Sequence, residues 1–592
     1  VILANSGVNT QGVAVGDIDG DGKPDLLSAS YSNVILSVYK NTSTTTTNIG
    51  FASRIDYSTN GGTSNQLGNT VSIADLNGDG LLDVVTCNQS SNNLSIFRNI
   101  QVTPPVITSF SPQNGSISTV VTISGTGFNS TAANNVVFFG TTQATVIGGN
   151  SSTLTVIVPY GCNYQYLSVT NLGNSLSAYS VTPFVVTFPS NGIIDFANDP
   201  NLAITSPTGI SLGDLNGDGK PDLAINSVNS LISIYLNVSS ASGSLSFVLV
   251  SSLAVSANNW GISLIDFDGD GKLDLASVDY TSNYVRLFRN TTLIGSGAIT
   301  FTSGPLLSTG STPRSIAVGD FDSDGRPDIA ISDGSVNSIY VYRNLSVSGT
   351  LSFAAGITIG VGSTQYDLAV GDLDKDGYPD VVISGYGGNN IITLHNASSV
   401  GTISFTVGNS IGSLSNPRGV SIGDFDGDGN PDIVVADQSN SRLVFFLNQN
   451  SVTGSISFST TASLVFSTGG APFDNVSIGD FDGDGKIDVA VANQSGVNTL
   501  LVLKNTSSVG NLSFLSRVSY ATGTNPYFLA VGDMNADGKP DIAVSNYSSS
   551  TISLFRNQSV NNISPPIITQ VNPISGTIGS TITISGQNFN SV

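Results

Sequence analysis

The 592-residue sequence contains no glutamate: all 41 acidic side chains are aspartate. Charge of the other sign is scarcer still, with 19 Lys and Arg, and charged residues make up only 10% of the chain. There is one Met, one Trp, one His and two Cys. So poor a supply of Glu, Lys, Met and Gln argues against a helical protein. The net charge of −22 argues against nucleic acid or an anionic membrane as a partner, because both require a basic face. No apolar run of about 18 residues occurs, so no segment reads as a membrane-spanning helix. The opening residues "VILANSG" have no basic region or cleavage pattern before them, so they are not a signal peptide, and the chain reads as a mature product or a fragment. Cys87 and Cys162 fall in different predicted domains. They read as unpaired buried thiols, and a bridge between them is weakly supported.

What is abundant is Gly (65 residues), Ser, Thr, Asn, Val and Ile, the composition of short strands joined by turns. One stretch, "DFDGDGKID" at 480–488, recurs nine times. The copies start at Asp17, Asp75, Asp214, Asp266, Asp320, Asp372, Asp424, Asp480 and Asp533, at intervals of 58, 139, 52, 54, 52, 52, 56 and 53 residues. Such spacing defines a repeat architecture. Within one repeat, "GISLGD", "LAINS", "SLISIYLN" and "SLSFVLV" read as four short strands around the Asp loop, the pattern of a β-propeller blade. Seven loops follow the long interval. The seventh copy lacks a fourth strand, and "GIIDFAND" (192–199) is placed to supply it from the start of the domain. The expected fold is therefore all-β: a seven-bladed β-propeller over 189–563, with 1–103 as the last two blades of a preceding propeller. Closure of the ring removes exposed sheet edges.

Residues 104–188 have no Asp loop and read as an immunoglobulin-like β-sandwich; 564–592 look like the start of a second. Phe128 in "GTGFNS" and Phe589 in "GQNFNS" lie 461 residues apart, close to the spacings of 458 from Asp75 to Asp533 and 463 from Asp17 to Asp480. The chain thus reads as a window on a tandem array in which propellers and sandwiches alternate.

The loop pattern is D-x-[DN]-x-D-G-x-x-D. Oxygen side chains occupy positions 1, 3, 5 and 9, Gly is fixed at position 6, and position 7 varies freely, as expected if it offers only its carbonyl. Hard oxygen ligands alternating around a Gly turn describe a Ca²⁺ site, about one per loop. The expected ligands in the first two loops are Asp17, Asp19, Asp21 and Asp25 with the carbonyl of Lys23, then Asp75, Asn77, Asp79 and Asp83 with Leu81. In the ring they are Asp214, Asn216, Asp218 and Asp222 with Lys220; Asp266, Asp268, Asp270 and Asp274 with Lys272; and Asp320, Asp322, Asp324 and Asp328 with Arg326. Next come Asp372, Asp374, Asp376 and Asp380 with Tyr378; Asp424, Asp426, Asp428 and Asp432 with Asn430; Asp480, Asp482, Asp484 and Asp488 with Lys486; and Asp533, Asn535, Asp537 and Asp541 with Lys539. These loops hold 33 of the 41 aspartates. Nine bound Ca²⁺ would bring the net charge from −22 to −4. The cation's expected role is structural, pinning the turn between the inner two strands.

These loops, with "AVGD" or "SIGD" before them, resemble FG-GAP/VCBS repeats, the calcium-binding blades of integrin-α-like propellers, although the literal Phe-Gly and Gly-Ala-Pro signatures are mostly absent. "SFSPQNGSISTVVTISGTGF" resembles an IPT/TIG domain. The combination is similar to large secreted or surface-attached bacterial proteins of Bacteroidetes type, which implies adhesion, surface fibres or carbohydrate binding.

Three further features stand out. The residue six positions before each ring loop varies: Thr208, Trp260, Arg314, Tyr366, Arg418, Asp474 and Tyr527. These are expected to ring the axis on the face opposite the loops, either as a ligand-binding surface or as ordinary loop variation. Asn-x-Ser/Thr follows the third strand at Asn41, Asn237, Asn290, Asn344, Asn396, Asn505 and Asn557, read as a glycosylation acceptor or as a turn-forming Asn. His395 takes the slot of Arg98, Arg289, Arg343 and Arg556 and reads as an exposed strand residue. No nucleophile constellation, zinc motif or phosphate loop appears, and the carboxylates belong to the repeat, so catalysis is not expected. The expected function is that of an extracellular, cell-surface structural and adhesive repeat protein, a segment of a calcium-stabilised filament or adhesin. Its partners would be copies or modules of the same array, and possible further partners are carbohydrate or a cell-surface protein. The alternative is a lectin-like propeller that binds carbohydrate through the face opposite the loops.

Overall fold

The computed structural model describes the chain except residues 1–9, 20–22, 31–34, 44–48, 53, 60–66, 77–81, 89–91, 100–102, 242, 257, 495, 560–566, 573–580 and 588–592, and except the side chains of 10, 11, 67–69, 474, 567, 568, 586 and 587. It is all-β and forms two compact units, Val1–Thr103 and Pro104–Val592. No helix among the described residues is long and apolar enough to cross a membrane.

In the larger unit, seven four-stranded antiparallel sheets form a ring of blades. The innermost strands are Pro207–Gly213, Asn259–Ile265, Pro313–Gly319, Leu368–Gly371, Pro417–Gly423, Ala471–Gly479 and Pro526–Gly532. Each lies against the next, and the last returns to the first. Proline opens four of these strands, at the first residue, where its missing N–H interrupts least of the ladder. The second strands, such as Asp328–Asp333, are buried on both faces, so apolar residues (here Ile329, Ala330 and Ile331) follow one another without polar alternation. One hydrophobic cluster fills each of the seven boundaries between blades. Position 2 of the Asp loop drives a wedge into these layers: Phe267, Phe321, Phe425 and Phe481 are almost wholly buried. This alternation explains the loop's form, with apolar residues directed inward and carboxylates directed toward the loop.

The ring closes as a composite blade. Phe196–Ala203 pairs antiparallel with Thr551–Asn557, from Phe196 opposite Asn557 to Ala203 opposite Thr551. The strand expected over 192–199 therefore begins four residues later. Its anchor is Phe196, edge-on to Phe481 and Tyr520 at 5.9 and 5.5 Å between ring centroids.

Residues 106–186 form an eight-stranded, nearly closed sheet around a core that includes Phe139, Phe184, Val121 and Leu167. This sandwich sits on the ring's Asp-loop face. Thr141 Oγ1 donates to the Leu212 carbonyl at 2.7 Å, Asn163 Nδ2 donates to the Ile478 carbonyl at 3.0 Å, and Ser177 N–H donates to the Gly325 carbonyl at 2.8 Å. Val136 and Phe138 join the core between the first two blades. The approach is close: a Cβ on Gly269 would meet the Ser175 carbonyl, and one on Gly483 the Phe188 carbonyl. Beyond the ring, Ile567–Asn572 and Thr583–Gln587 pair as a short ladder; the rest of the expected second sandwich lies outside the described residues.

The smaller unit holds a four-stranded sheet (Thr10–Gly16, Asp25–Ser30, Ile35–Tyr39, Ile55–Ser58) and a three-stranded one (Leu67–Ala74, Asp83–Asn88, Asn93–Phe97). Leu27, Leu36 and Val84 form its core. Both cysteines are free: Cys162 is buried, donating to the Pro159 carbonyl, whereas Cys87 is only half-buried, contrary to expectation.

Candidate metal loops

Each ring loop folds around its first aspartate. Asp480 Oδ1 accepts the N–H groups of Gly483 (2.7 Å) and Asp484 (3.2 Å), and Oδ2 accepts that of Gly485 (2.8 Å). Asp482 and Asp484 each accept the N–H two residues ahead, at 3.3 and 3.0 Å. The chain can curl this tightly because position 6 is left-handed, with φ between +84° and +93° in all seven ring loops. Position 9 locks the loop to its blade: Asp488 Oδ2 accepts Phe481 N–H (2.9 Å) and Oδ1 accepts Asn505 N–H (2.7 Å). In the smaller unit, Asp25 and Asp83 make the equivalent bonds to Ile18 and Asn41 and to Leu76 and Asn99. Asp21, Asn77, Asp79 and Leu81 lie outside the described residues.

The carboxylates so gathered are poorly solvated. Burial, reinforced by neighbouring carboxylates, pushes Asp372 up to about 6, Asp480 and Asp533 to about 7, Asp222, Asp266, Asp320, Asp380 and Asp432 to about 8, and Asp328 to about 9. A cation would relieve both the burial cost and the repulsion. The donor set fits a hard divalent ion, and two position-3 oxygens, Asp374 Oδ2 and Asn535 Oδ1, are buried with no hydrogen-bond partner among the described residues. The spacing of carboxylate oxygens within Asp266/Asp268/Asp274, Asp320/Asp322/Asp324 and Asp372/Asp374/Asp376 is below 4.8 Å.

A basic residue from the third strand reaches the outer oxygens of several loops. Arg289 meets Asp268 (2.6 Å) and Asp270; Arg343 meets Asp322 and Asp324 (2.5 Å each); Lys504 meets Asp482 and Asp484; and Lys40 meets Asp19 (2.7 Å). Leu236 and Leu447 take this slot in the first and fifth blades. Arg556 departs to Asp199. His395 was expected to be an exposed strand residue, but it turns to the loop: its Nδ1 lies 3.1 Å from Asp374 Oδ2.

The Asn that ends the third strand was expected to be a turn former or a glycan acceptor. In the ring it is buried. Asn344, 0% exposed, donates from Nδ2 to the Pro327 carbonyl (3.0 Å) and to the Phe267 carbonyl of the preceding blade (2.9 Å), and its Oδ1 accepts Ser346 N–H (2.8 Å). Asn237, Asn290, Asn396, Asn448, Asn505 and Asn557 repeat this bridge to the position-2 carbonyl of the blade before. These staples were missed as functional residues. Their sequence signal was the Asn itself, which persists at Asn99 and Asn448 where no Ser or Thr follows two residues on.

At the other end of the innermost strands, the expected open ring is a self-stacked cluster. Tyr527 stacks on Trp260 (5.8 Å), Phe473 (4.8 Å) and Tyr547 (5.0 Å). The guanidinium of Arg418 lies 4.0 Å from the Tyr366 ring, and that of Arg314 lies 4.7 Å from it. Thr208 is wholly buried and donates to the Asn259 carbonyl at 2.5 Å. The Asp474 side chain lies outside the described residues. Tyr280, Tyr386, Tyr547 and Phe473 complete the cluster, and nothing in the spacing of a single repeat marked them.

Comparison with known families matches the FG-GAP-like repeat to residues 17–86, 214–277, 266–331, 321–383, 373–435, 424–491 and 480–544, more than half of the chain. An IPT/TIG domain matches 105–184. No curated protein sequence matches the chain. Among solved structures, BBS1N in complex with ARL6DN is 15% identical with a TM-score of 0.40, covering 62% of this chain and 98% of that one. An auxiliary nutrient binding protein from Bacteroides ovatus is 13% identical with a TM-score of 0.31, covering 77% and 98%. A putative phosphatase from Bacteroides thetaiotaomicron is 13% identical with a TM-score of 0.32, covering 77% and 98%.

Proposed function

Because the chain belongs to the family of FG-GAP-like repeat proteins and carries an IPT/TIG domain, we propose that it is a non-catalytic, extracellular structural and adhesive protein whose Asp loops each hold one Ca²⁺. The observation that carries this reading is the repeated loop geometry: four oxygen side chains per blade, held by backbone N–H groups and partly buried, with too few cations to balance them. The side chains at positions 1, 3, 5 and 9 and the carbonyl at position 7 would hold the ion, which supplies charge neutralisation and rigidity. Each loop joins the two inner strands of its blade, so the ion would stiffen the disc where blades meet. A series of such discs and sandwiches forms a stalk or filament at the cell surface, with copies or modules of the same array as its partners. Binding of carbohydrate at the far mouth is the weaker reading, since the aromatic faces there are occupied by one another.

Equilibrium dialysis with elemental analysis tests the cation reading. The expected result is close to one Ca²⁺ per loop on the full chain, with one fewer in Asp480→Ala and a lower melting temperature. An unchanged stoichiometry and melting temperature in that variant would overturn the assignment. For the adhesive and filament reading, electron microscopy of source material with and without chelator is decisive: discs at a constant repeat that lose order on chelation support it, and isolated particles of unchanged length exclude it.

A further inference from the structure

The fourth blade differs from its neighbours in the donor it turns toward the loop. In the second, third and sixth blades that donor is the charged head of Arg289, Arg343 or Lys504. A head of that kind balances carboxylates and does not ligate a metal. Here it is the imidazole of His395, the one histidine of the chain. An imidazole can be neutral and is a good ligand for borderline transition metals. Its Nδ1 lies 3.1 Å from Asp374 Oδ2 and 3.6 Å from Asp380 Oδ1. All three donor atoms fall within 4.8 Å of one another.

Two observations distinguish this trio from an ordinary acidic turn. Asp374 is 1% exposed, and its Oδ2 and the buried Nδ1 have no polar partner among the described residues beyond the contacts of this trio. The remaining atoms are fixed: Asp374 Oδ1 accepts Asp376 N–H at 3.2 Å, and Asp380 accepts the N–H groups of Asn396 (2.8 Å) and Leu373 (2.9 Å). The open lone pairs therefore converge on one place, held by the loop and two strands. The spacing also suits a small cation. Ligands about 2.1 Å from a metal lie about 3.0 Å apart along an octahedral edge and about 3.4 Å along a tetrahedral one.

We propose that Asp374, Asp380 and His395 form a mixed nitrogen–oxygen site for a borderline transition-metal cation of the zinc class, distinct in chemistry from the oxygen-only loops of the other blades. The proposal rests on the reading that the Asp loops hold Ca²⁺, and it adds that at this loop a zinc-class cation displaces the Ca²⁺ when both are supplied.

With a single histidine, the imidazole resonances report on this site alone. The test is Zn²⁺ titration of the calcium-loaded full chain followed by NMR, with Co²⁺ as a paramagnetic second probe and bound metals counted by elemental analysis. The expected result is one tight equivalent of Zn²⁺ that shifts the imidazole signals, and Co²⁺ that displaces or broadens the same signals. His395→Leu, which copies Leu236 and Leu447, should bind Zn²⁺ roughly tenfold or more weakly while its melting temperature is kept. His395→Arg, which copies the sibling blades, should behave alike and guards against a folding defect in the first variant. Imidazole signals that do not move, or Zn²⁺ affinity in both variants equal to that of the parent chain, would overturn the site. A chain with calcium in its loops and a silent histidine removes this inference alone, whereas a chain that binds no calcium removes the reading beneath it.

Discussion

At the residue scale, the asparagine that ends each third strand ties its blade to the one before. It spends its amide on carbonyls of two blades and its oxygen on the following turn. Asn344→Ala would leave the buried carbonyls of Phe267 and Pro327 without a donor, a loss of about 3 kcal/mol. The expected outcome is a lower melting temperature and slower refolding; a melting curve that overlays the parent would show that the bridge is dispensable. The same burial makes a second prediction. Expressed in a host that glycosylates Asn-x-Ser/Thr, the folded protein should carry no glycan at Asn290, Asn344, Asn505 or Asn557, as peptide mass spectrometry would reveal. The identity of this residue was plain in nine repeats, but its role was not, because the partner carbonyl lies 75–80 residues away in the neighbouring blade. His395 shows the converse: its slot was read correctly as that of the arginines, and only the fold disclosed that the slot looks inward.

At the scale of the element, the Asp loop is a turn whose carboxylates are worth more protonated, or metal-bound, than bare. Their folded pKa values, about 6 for Asp372, about 7 for Asp480 and about 9 for Asp328, lie above the ordinary carboxylate value of 3.8. The metal-free fold therefore binds more protons than the unfolded chain between about pH 4 and pH 9, and its stability falls as pH rises through that window. Cation binding must displace those protons, so calcium affinity should rise with pH over the same range. Melting curves at pH 5.5 and pH 8 should diverge: the chelated protein loses stability at the higher pH and the calcium-loaded protein does not. Parallel behaviour with and without calcium would refute this coupling. The loop itself was legible from sequence because its constraints are local: a left-handed Gly, alternating oxygens and an apolar wedge at position 2. The aromatic cluster at the opposite mouth was not, since Trp260, Tyr366 and Tyr527 come from three different blades and meet only when the ring closes.

At the scale of the whole molecule, repeat counting foretold the ring and its borrowed strand, because six near-equal intervals between seven loops and one missing strand leave few arrangements. It could not foretell that the sandwich rests on the loop face, since that contact joins Asn163 to Ile478 and Thr141 to Leu212 across unrelated sequence. Removing 189–203 should expose the edge of Thr551–Asn557 and turn monomers into oligomers, visible by light scattering after size exclusion; a monodisperse monomer would show that the ring tolerates the gap. The borrowed strand also decides how the larger unit answers a pull. Phe196 and Asn557, where the chain enters and leaves the ring, are register partners at the same end of an antiparallel pair. Tension applied at those two residues therefore loads that pair as a zipper, one rung at a time. The catch is the Asn557 amide, anchored to the Phe481 and Pro540 carbonyls beside the first rung. A disc built this way is a bead hung on a clasp, and its seam is the one antiparallel pair that joins the two ends of the ring.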